Sequence, residues 1–61
     1  MLILGRRLDE TVVITSPDGT RIVLRVIEIR AGHTVRLGFD APMDFVIHRG
    51  EIQDAIDREK Q

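Results

Sequence analysis

The 61-residue sequence has no cysteine, a single serine (Ser16), a single lysine (Lys60) and two aromatic residues, Phe39 and Phe45. Each scarcity removes a class of explanation. Without cysteine there are no disulfides, no thiolate nucleophile and no thiolate-rich structural zinc site. The two histidines, His33 and His48, cannot hold a closed metal site by themselves. Ser16 falls beside Pro17 with neither histidine near it in sequence, so no nucleophile–base pair is suggested. The five glycines are scattered singly, which excludes a glycine-rich phosphate loop. With no assembled acid, base or nucleophile, the sequence is read as that of a non-enzyme that carries no cofactor. Two phenylalanines on apolar strand positions fit a core better than a base-stacking platform, so single-strand RNA modules built on exposed aromatics do not apply. No apolar run approaches a membrane span. Met1-Leu2-Ile3-Leu4 precedes Arg6-Arg7, the reverse of the charge order in a secretory leader, so a cytoplasmic location is expected.

What is present is apolar surface and arginine. Hydrophobic residues make up 43% of the chain, yet a chain this short buries only about 60% of its unfolded surface and is marginal alone. Disulfides and metals being unavailable, association is the remaining supplement, and a homodimer is expected. The formal net charge is -1, which argues against general attraction to nucleic acid but not against a local basic patch. Eight of the nine basic residues are arginines, the residue suited to forked contacts with phosphate and guanine. Asp54, Asp57 and Glu59 concentrate acid near the C-terminus.

Periodicity predicts five short strands and a terminal helix, a mainly β fold. Met1 to Arg7 reads as a first strand, and Leu8-Asp9-Glu10 as a short connection. Thr11 to Thr15, rich in β-branched residues, reads as a second strand. Ser16-Pro17-Asp18-Gly19 is a β-turn signal, with Pro17 presetting φ. Thr20 to Arg30 reads as one long strand whose apolar phase slips near Val26-Ile27, implying a bulge or cover on both faces. Ala31-Gly32-His33 is the next reversal. Thr34 to Asp40 alternates with Val35, Leu37 and Phe39 on one face. Ala41-Pro42 interrupts the ladder. Met43 to His48 gives a last strand with Met43, Phe45 and Ile47 on one face. From Gly50 the period becomes helical through Ile52, Ala55 and Ile56, with an Asp54–Arg58 pair at four-residue spacing.

Three blocks then carry a family resemblance. Met1-Leu2-Ile3-Leu4 with Arg6-Arg7 and Glu10-Thr11, the run Val35-Arg36-Leu37-Gly38-Phe39-Asp40-Ala41-Pro42, and Val46-Ile47-His48-Arg49 followed by Glu51-Ile52 together resemble the CsrA/RsmA carbon storage regulators. The likeness runs from Met1 to about Lys60. It implies a single RNA-binding domain over residues 1–61 and an intertwined β-sheet homodimer. In that dimer the first strand of one subunit lies beside the fifth strand of the other. It also implies binding of GGA sequences in mRNA leader hairpin loops, with repression of translation initiation and two equivalent sites per dimer.

Carried over by position, Leu4, Arg6, Ala41, Pro42, Phe45, Ile47, His48 and Arg49 match RNA-contacting positions of the family. Arg49 and Arg6 are the expected side-chain anchors, because a guanidinium grips phosphate or guanine bidentately. Arg7, whose side chain should point to the face opposite Arg6, and Arg36 are candidate rim contacts. Family members are antagonised by proteins such as FliW, which implies a FliW-like partner. A protein-interaction module that kept the fold and lost RNA is the rival reading. The chain departs from the family at Gly5, Asp9, Met43 and Gly50 and in the longer Ser16–Gly19 turn. These departures imply altered affinity or altered RNA preference; at Asp9, where family members carry glycine, the exchange costs most if that turn needs φ > 0, which aspartate tolerates better than most residues.

Overall fold

The turn at Ser16–Gly19 organises the first hairpin. Gly19 takes a left-handed φ of 89°, its N–H donates to the Ser16 carbonyl at 2.9 Å, and the Ser16 N–H donates to the Thr20 carbonyl at 2.9 Å. This is the short hairpin loop in which a left-handed glycine follows a tight turn and returns the chain with the twist that strands require. The Asp18 carboxylate locks it, accepting from the Ser16 hydroxyl and from the Thr20 N–H at 3.0 Å.

In the computed structural model, which describes residues 1–59, the elements follow in the order β1 (Leu2–Arg6), β2 (Thr11–Thr15), β3 (Arg21–Arg25), β4 (Val35–Phe39), β5 (Val46–Arg49) and α1 (Gly50–Glu59). Lys60, where the sequence likeness was expected to end, and Gln61 lie outside the described residues. The fold is mainly β with a terminal helix, as expected. The strands divide into two antiparallel sheets, one of order β1-β4 and one of order β3-β2-β5. In the first, Leu2 faces Phe39, Leu4 faces Leu37 and Arg6 faces Val35. In the second, β2 is central, with Val13 between Val23 and His48 and Ile14 between Ile22 and Ile47. One edge of β1 and one edge of β5 are left without a strand partner.

Several expected boundaries move. The first strand loses Met1 and Arg7, and β4 loses Thr34 and Asp40. The long strand expected over Thr20–Arg30 ends at Arg25. Asp9 adopts φ 67°, and the last rungs are the Val26 N–H to the Glu10 carbonyl and the Asp9 N–H to the Val26 carbonyl. Beyond them the neighbouring chain has turned away. The apolar phase slip is therefore neither a bulge nor two-sided cover: Val26 is buried, and Ile27 is 73% exposed. The last strand begins at Val46 and not at Met43. Met43 sits in a turn closed by the Phe45 N–H on the Pro42 carbonyl and is fully exposed. In α1 the docked face is Gly50 and Gln53, Ile52 is half-exposed, and the ion pairs among the described residues do not include the expected Asp54–Arg58 pair.

The core is thin. Val12, Val13 and Val26 are the buried apolar residues, joined by the buried polar Arg6 and Gln53. Large apolar side chains stay open on both sheets, Leu2 and Ile3 on β1, Ile22 and Val23 on β3 and Val46 on β5. The accessible surface is 4841 Å², roughly a fifth more than the ~4000 Å² of a compact monomer of this mass. The radius of gyration, 12.4 Å, likewise exceeds the ~10.5 Å of a compact chain of this length.

Candidate nucleic-acid interface

The residues flanking the open edges of β1 and β5 form an open cavity of about 410 Å³, lined by Met1 and Leu2 at the start of β1, by Phe39 to Met43, and by Phe45 to Ile47. Four of the expected contact residues, Ala41, Pro42, Phe45 and Ile47, thus share one concavity. Ala41 and Pro42 are exposed and Phe45 and Ile47 half-buried. Pro42, with no N–H to donate and its φ fixed, lies between the end of β4 at Phe39 and the start of β5 at Val46 and opens the turn closed by the Phe45 N–H on its carbonyl.

Strand alternation distributes the remaining candidates over two faces. Arg49, which faces Val12 across the sheet, shares the Ile47 side of β5. It is exposed, and its side chain has no hydrogen-bond or ion-pair partner among the described residues. His48 points to the opposite side and lines a smaller cavity of about 200 Å³ with Thr15, Arg21, Gln53 and Ile56, beneath α1. Leu4 is half-buried on β1. Arg7 and Arg36 are exposed; Arg7 is held at its backbone, where its N–H donates to Glu10 Oε1 at 2.7 Å, and Arg36 faces Gly5 across the β1–β4 pair.

Arg6 requires a correction. It was expected as an exposed anchor for RNA, and it is 5% exposed. Its Nη1 and Nη2 donate to the two Glu51 carboxylate oxygens at 2.8 and 3.2 Å. Nη1 also reaches the Thr11 carbonyl at 3.3 Å, and Nε the Gly5 carbonyl at 2.8 Å. Glu10 adds a longer ion pair, 3.7 Å from Nε. A buried guanidinium needs partners for its five N–H donors, and four of them, one on Nε, two on Nη1 and one on Nη2, find an acceptor in this cage. The Glu51 hydrogen bond raises the Arg6 pKa further above its ordinary value against the opposing effect of burial. The same bond holds the Glu51 carboxyl below the usual carboxylate range, with the Arg49 charge contributing in the same direction.

Two departures from the family pattern behave oppositely. A Cβ on Gly5 would meet the Thr34 methyl at 3.4 Å, an ordinary contact, so a side chain fits there. A Cβ on Gly50 would lie 1.8 Å from the Thr11 hydroxyl oxygen, so none fits without movement. α1 is also tied to β3 by Arg21, whose Nη1 and Nη2 donate to the Asp57 carboxylate at 2.8 Å each, and within the helix Gln53 Nε2 donates to Asp57 Oδ1 at 3.1 Å.

Met1, Leu2, Phe39, Asp40, Met43 and Val46 also line the cavity and Glu51 holds Arg6, and none of these seven was among the contact residues expected from the sequence. Only the helix-start position of Glu51 was legible, and nothing local ties it to Arg6 45 positions away. Among the described residues no three potential metal-ligating side chains converge, and no helix is long and apolar enough to cross a membrane.

Residues 1–58 match the family model described as the CsrA global regulator protein family. Over all 61 residues the chain is 46% identical to the translational regulator CsrA of Desulfotalea psychrophila, covering 72% of that protein. It is 43% identical to the protein of the same name from Rhodopirellula baltica, covering 80% of it, and 43% identical to that of Geobacter sulfurreducens, covering 71% of it. No solved structure matches.

Proposed function

The chain belongs to the CsrA family of global regulators, and on that footing we propose that it is a post-transcriptional regulator that binds GGA-containing hairpin loops in mRNA leaders and represses translation initiation. It acts by binding alone, in the cytoplasm where its transcripts are translated, and residues 1–61 serve as one RNA-binding domain. The observation that carries the reading is similarity over the whole chain to proteins named translational regulators, and Arg49, whose side chain is exposed and unpaired among the described residues, supports it. An exposed guanidinium with no internal partner pays no cost of breaking an ion pair when it grips phosphate or a guanine edge. Leu4, Ala41, Pro42, Phe45 and Ile47 complete the proposed surface, with Arg7 and Arg36 at its rim; His48, also expected there, is left out of it because it lines the cavity beneath α1 on the other face of β5.

The functional unit proposed is a homodimer in which β1 of one copy pairs with β5 of the other. Support comes from the open edges of these strands and from the surplus surface, which is close to the ~800 Å² that each partner buries in a standard interface. A titration of the protein with a short hairpin carrying GGA in its loop, against the same hairpin with both guanines replaced, tests the reading at fixed near-physiological salt. Tight binding that collapses with the control supports it. Equal, weak binding to both leaves only electrostatics. The fully exposed Met43 favours a second reading, a protein-interaction module of the same fold, for instance toward a FliW-like antagonist. Partners recovered from native lysate that survive RNase treatment would favour that module.

A further inference from the structure

Glu51 stands between two arginines of different fates. Arg6 is buried and holds both of its carboxylate oxygens. Arg49, two residues earlier in the chain, is exposed and has no ion partner among the described residues. Residues two apart have Cα atoms at most ~7 Å from one another, within reach of these two long side chains at the junction where β5 gives way to α1. The Arg49 charge already acts on the Glu51 carboxyl.

We propose that Arg6 is a positioning residue for RNA binding, which holds the Glu51 carboxylate away from Arg49 and thereby leaves Arg49 free to engage RNA. The proposal rests on the RNA-binding reading above for its consequence, but not for its geometry. With Arg6 in place, the forked pair fixes Glu51 toward the start of β2, where Arg6 also holds the Thr11 carbonyl. Remove the Arg6 charge, and the nearest cation left to Glu51 along the chain is Arg49. An Arg49 paired to a carboxylate would have to surrender that pair before taking phosphate, and a negative charge would stand at the RNA contact.

The test is a pair of variants that separates this role from direct contact and from simple structural support. Arg6→Met keeps most of the buried side-chain stem and removes the charge. It should weaken GGA-hairpin binding about tenfold, the scale of one lost charge-assisted contact. Adding Glu51→Gln should return affinity to within about threefold of the unaltered protein, because the competing charge is gone. If the double variant stays as weak as Arg6→Met, or if Arg6→Met binds like the unaltered protein, the proposal is overturned.

A second readout needs no RNA. The Arg49 Nε–H resonance should shift in Arg6→Met and return in the double variant; an unmoved resonance also overturns the proposal. An unaltered protein that fails to discriminate GGA would sink the RNA reading, while the Arg49 resonance would still decide the role of Arg6. Should Arg6→Met not fold, Glu51→Gln alone decides: unchanged or up to about threefold tighter RNA binding is expected, and a loss overturns the idea.

Discussion

Gly50 lies so tightly against Thr11 that a Cβ added to it would sit 1.8 Å from the threonine hydroxyl oxygen and 3.1 Å from its Cβ. The first residue of α1 is thereby pressed onto the first residue of β2. At an unobstructed helical position Gly→Ala gains up to about 1 kcal/mol. Here Gly50→Ala should instead destabilise by about 1–3 kcal/mol through overpacking, and Thr11→Ala should recover part of that loss. Denaturant melts of the single and double variants check it, and a more stable Gly50→Ala would show that α1 has room to lift.

Asp9, the non-glycine residue with positive φ at 67°, offers a second backbone test. Asp9→Gly should be neutral or stabilising by up to about 1 kcal/mol, since the strain it relieves is offset by added freedom in the unfolded chain. Asp9→Val should cost more than about 1 kcal/mol, because a β-branched residue resists the left-handed region. Equal stability of the two variants would count against a fixed turn here.

Acid should loosen the hairpin in a defined window. The Ser16 hydroxyl and the Thr20 N–H lower the Asp18 carboxyl from 3.8 to about 2, and Glu51 is lowered by Arg6. Both folded-state values lie below the unfolded ones, so both contributions are complete above ordinary carboxylate pKa values and fade as pH falls. For Asp18 the loss should run from about pH 4 to about pH 2. Thermal melts across that range should show a shallower decline in Asp18→Asn than in the unaltered protein; identical slopes would remove Asp18 from the account.

Arg49→Ala should weaken binding to the GGA hairpin by about tenfold or more, the scale of one charge-assisted contact. It should also flatten the dependence on salt, because one phosphate contact is lost. Circular dichroism should be unchanged, since the Arg49 side chain is exposed and has no partner among the described residues, and the substitution leaves the backbone of β5 intact. RNA affinity equal to that of the unaltered protein would take Arg49 out of the site.

If folding is completed by a second copy, the melting temperature must rise with protein concentration. Sedimentation should give twice the mass of the chain at micromolar concentration, and charged residues introduced at Ile3 and Val46 should lower it. A melting temperature independent of concentration, with monomer mass, would leave the exposed apolar faces without the proposed explanation.

Local chemistry was readable in the sequence where a few neighbouring residues decide the outcome. The β2 boundaries, the Ser16–Gly19 turn and the helix start at Gly50 all follow from β-branching, turn residues and a change of period. What was not readable depends on distant partners. β3 stops at Arg25 because Asp9 turns the opposite chain away. Arg6 is buried because Glu51, 45 residues on, comes to meet it. The helix face shifted for a related reason: Ile52-Ala55-Ile56 and Gly50-Gln53-Asp57 are neighbouring stripes of one helix, and the contact of Gly50 with Thr11 chooses the second. Of the candidate site, the residues around the Ala41-Pro42 break are brought together in one cavity. Strand alternation sends His48 to the other face, and Arg6 goes to the interior.

The four outer strand edges are not alike. β3 carries Arg21 and Arg25 at its two ends, and β4 carries Arg36 near its start, charges that discourage further strand addition. β1 and β5 begin with the apolar runs Leu2-Ile3-Leu4 and Val46-Ile47 and carry an arginine at the last position alone, buried in the case of Arg6. A join between β1 of one copy and β5 of another, repeated by two-fold symmetry, uses both of these edges in each chain. Only guarded edges then face outward. Such an assembly is self-limiting: it closes at two chains and presents no template on which a fibre could grow.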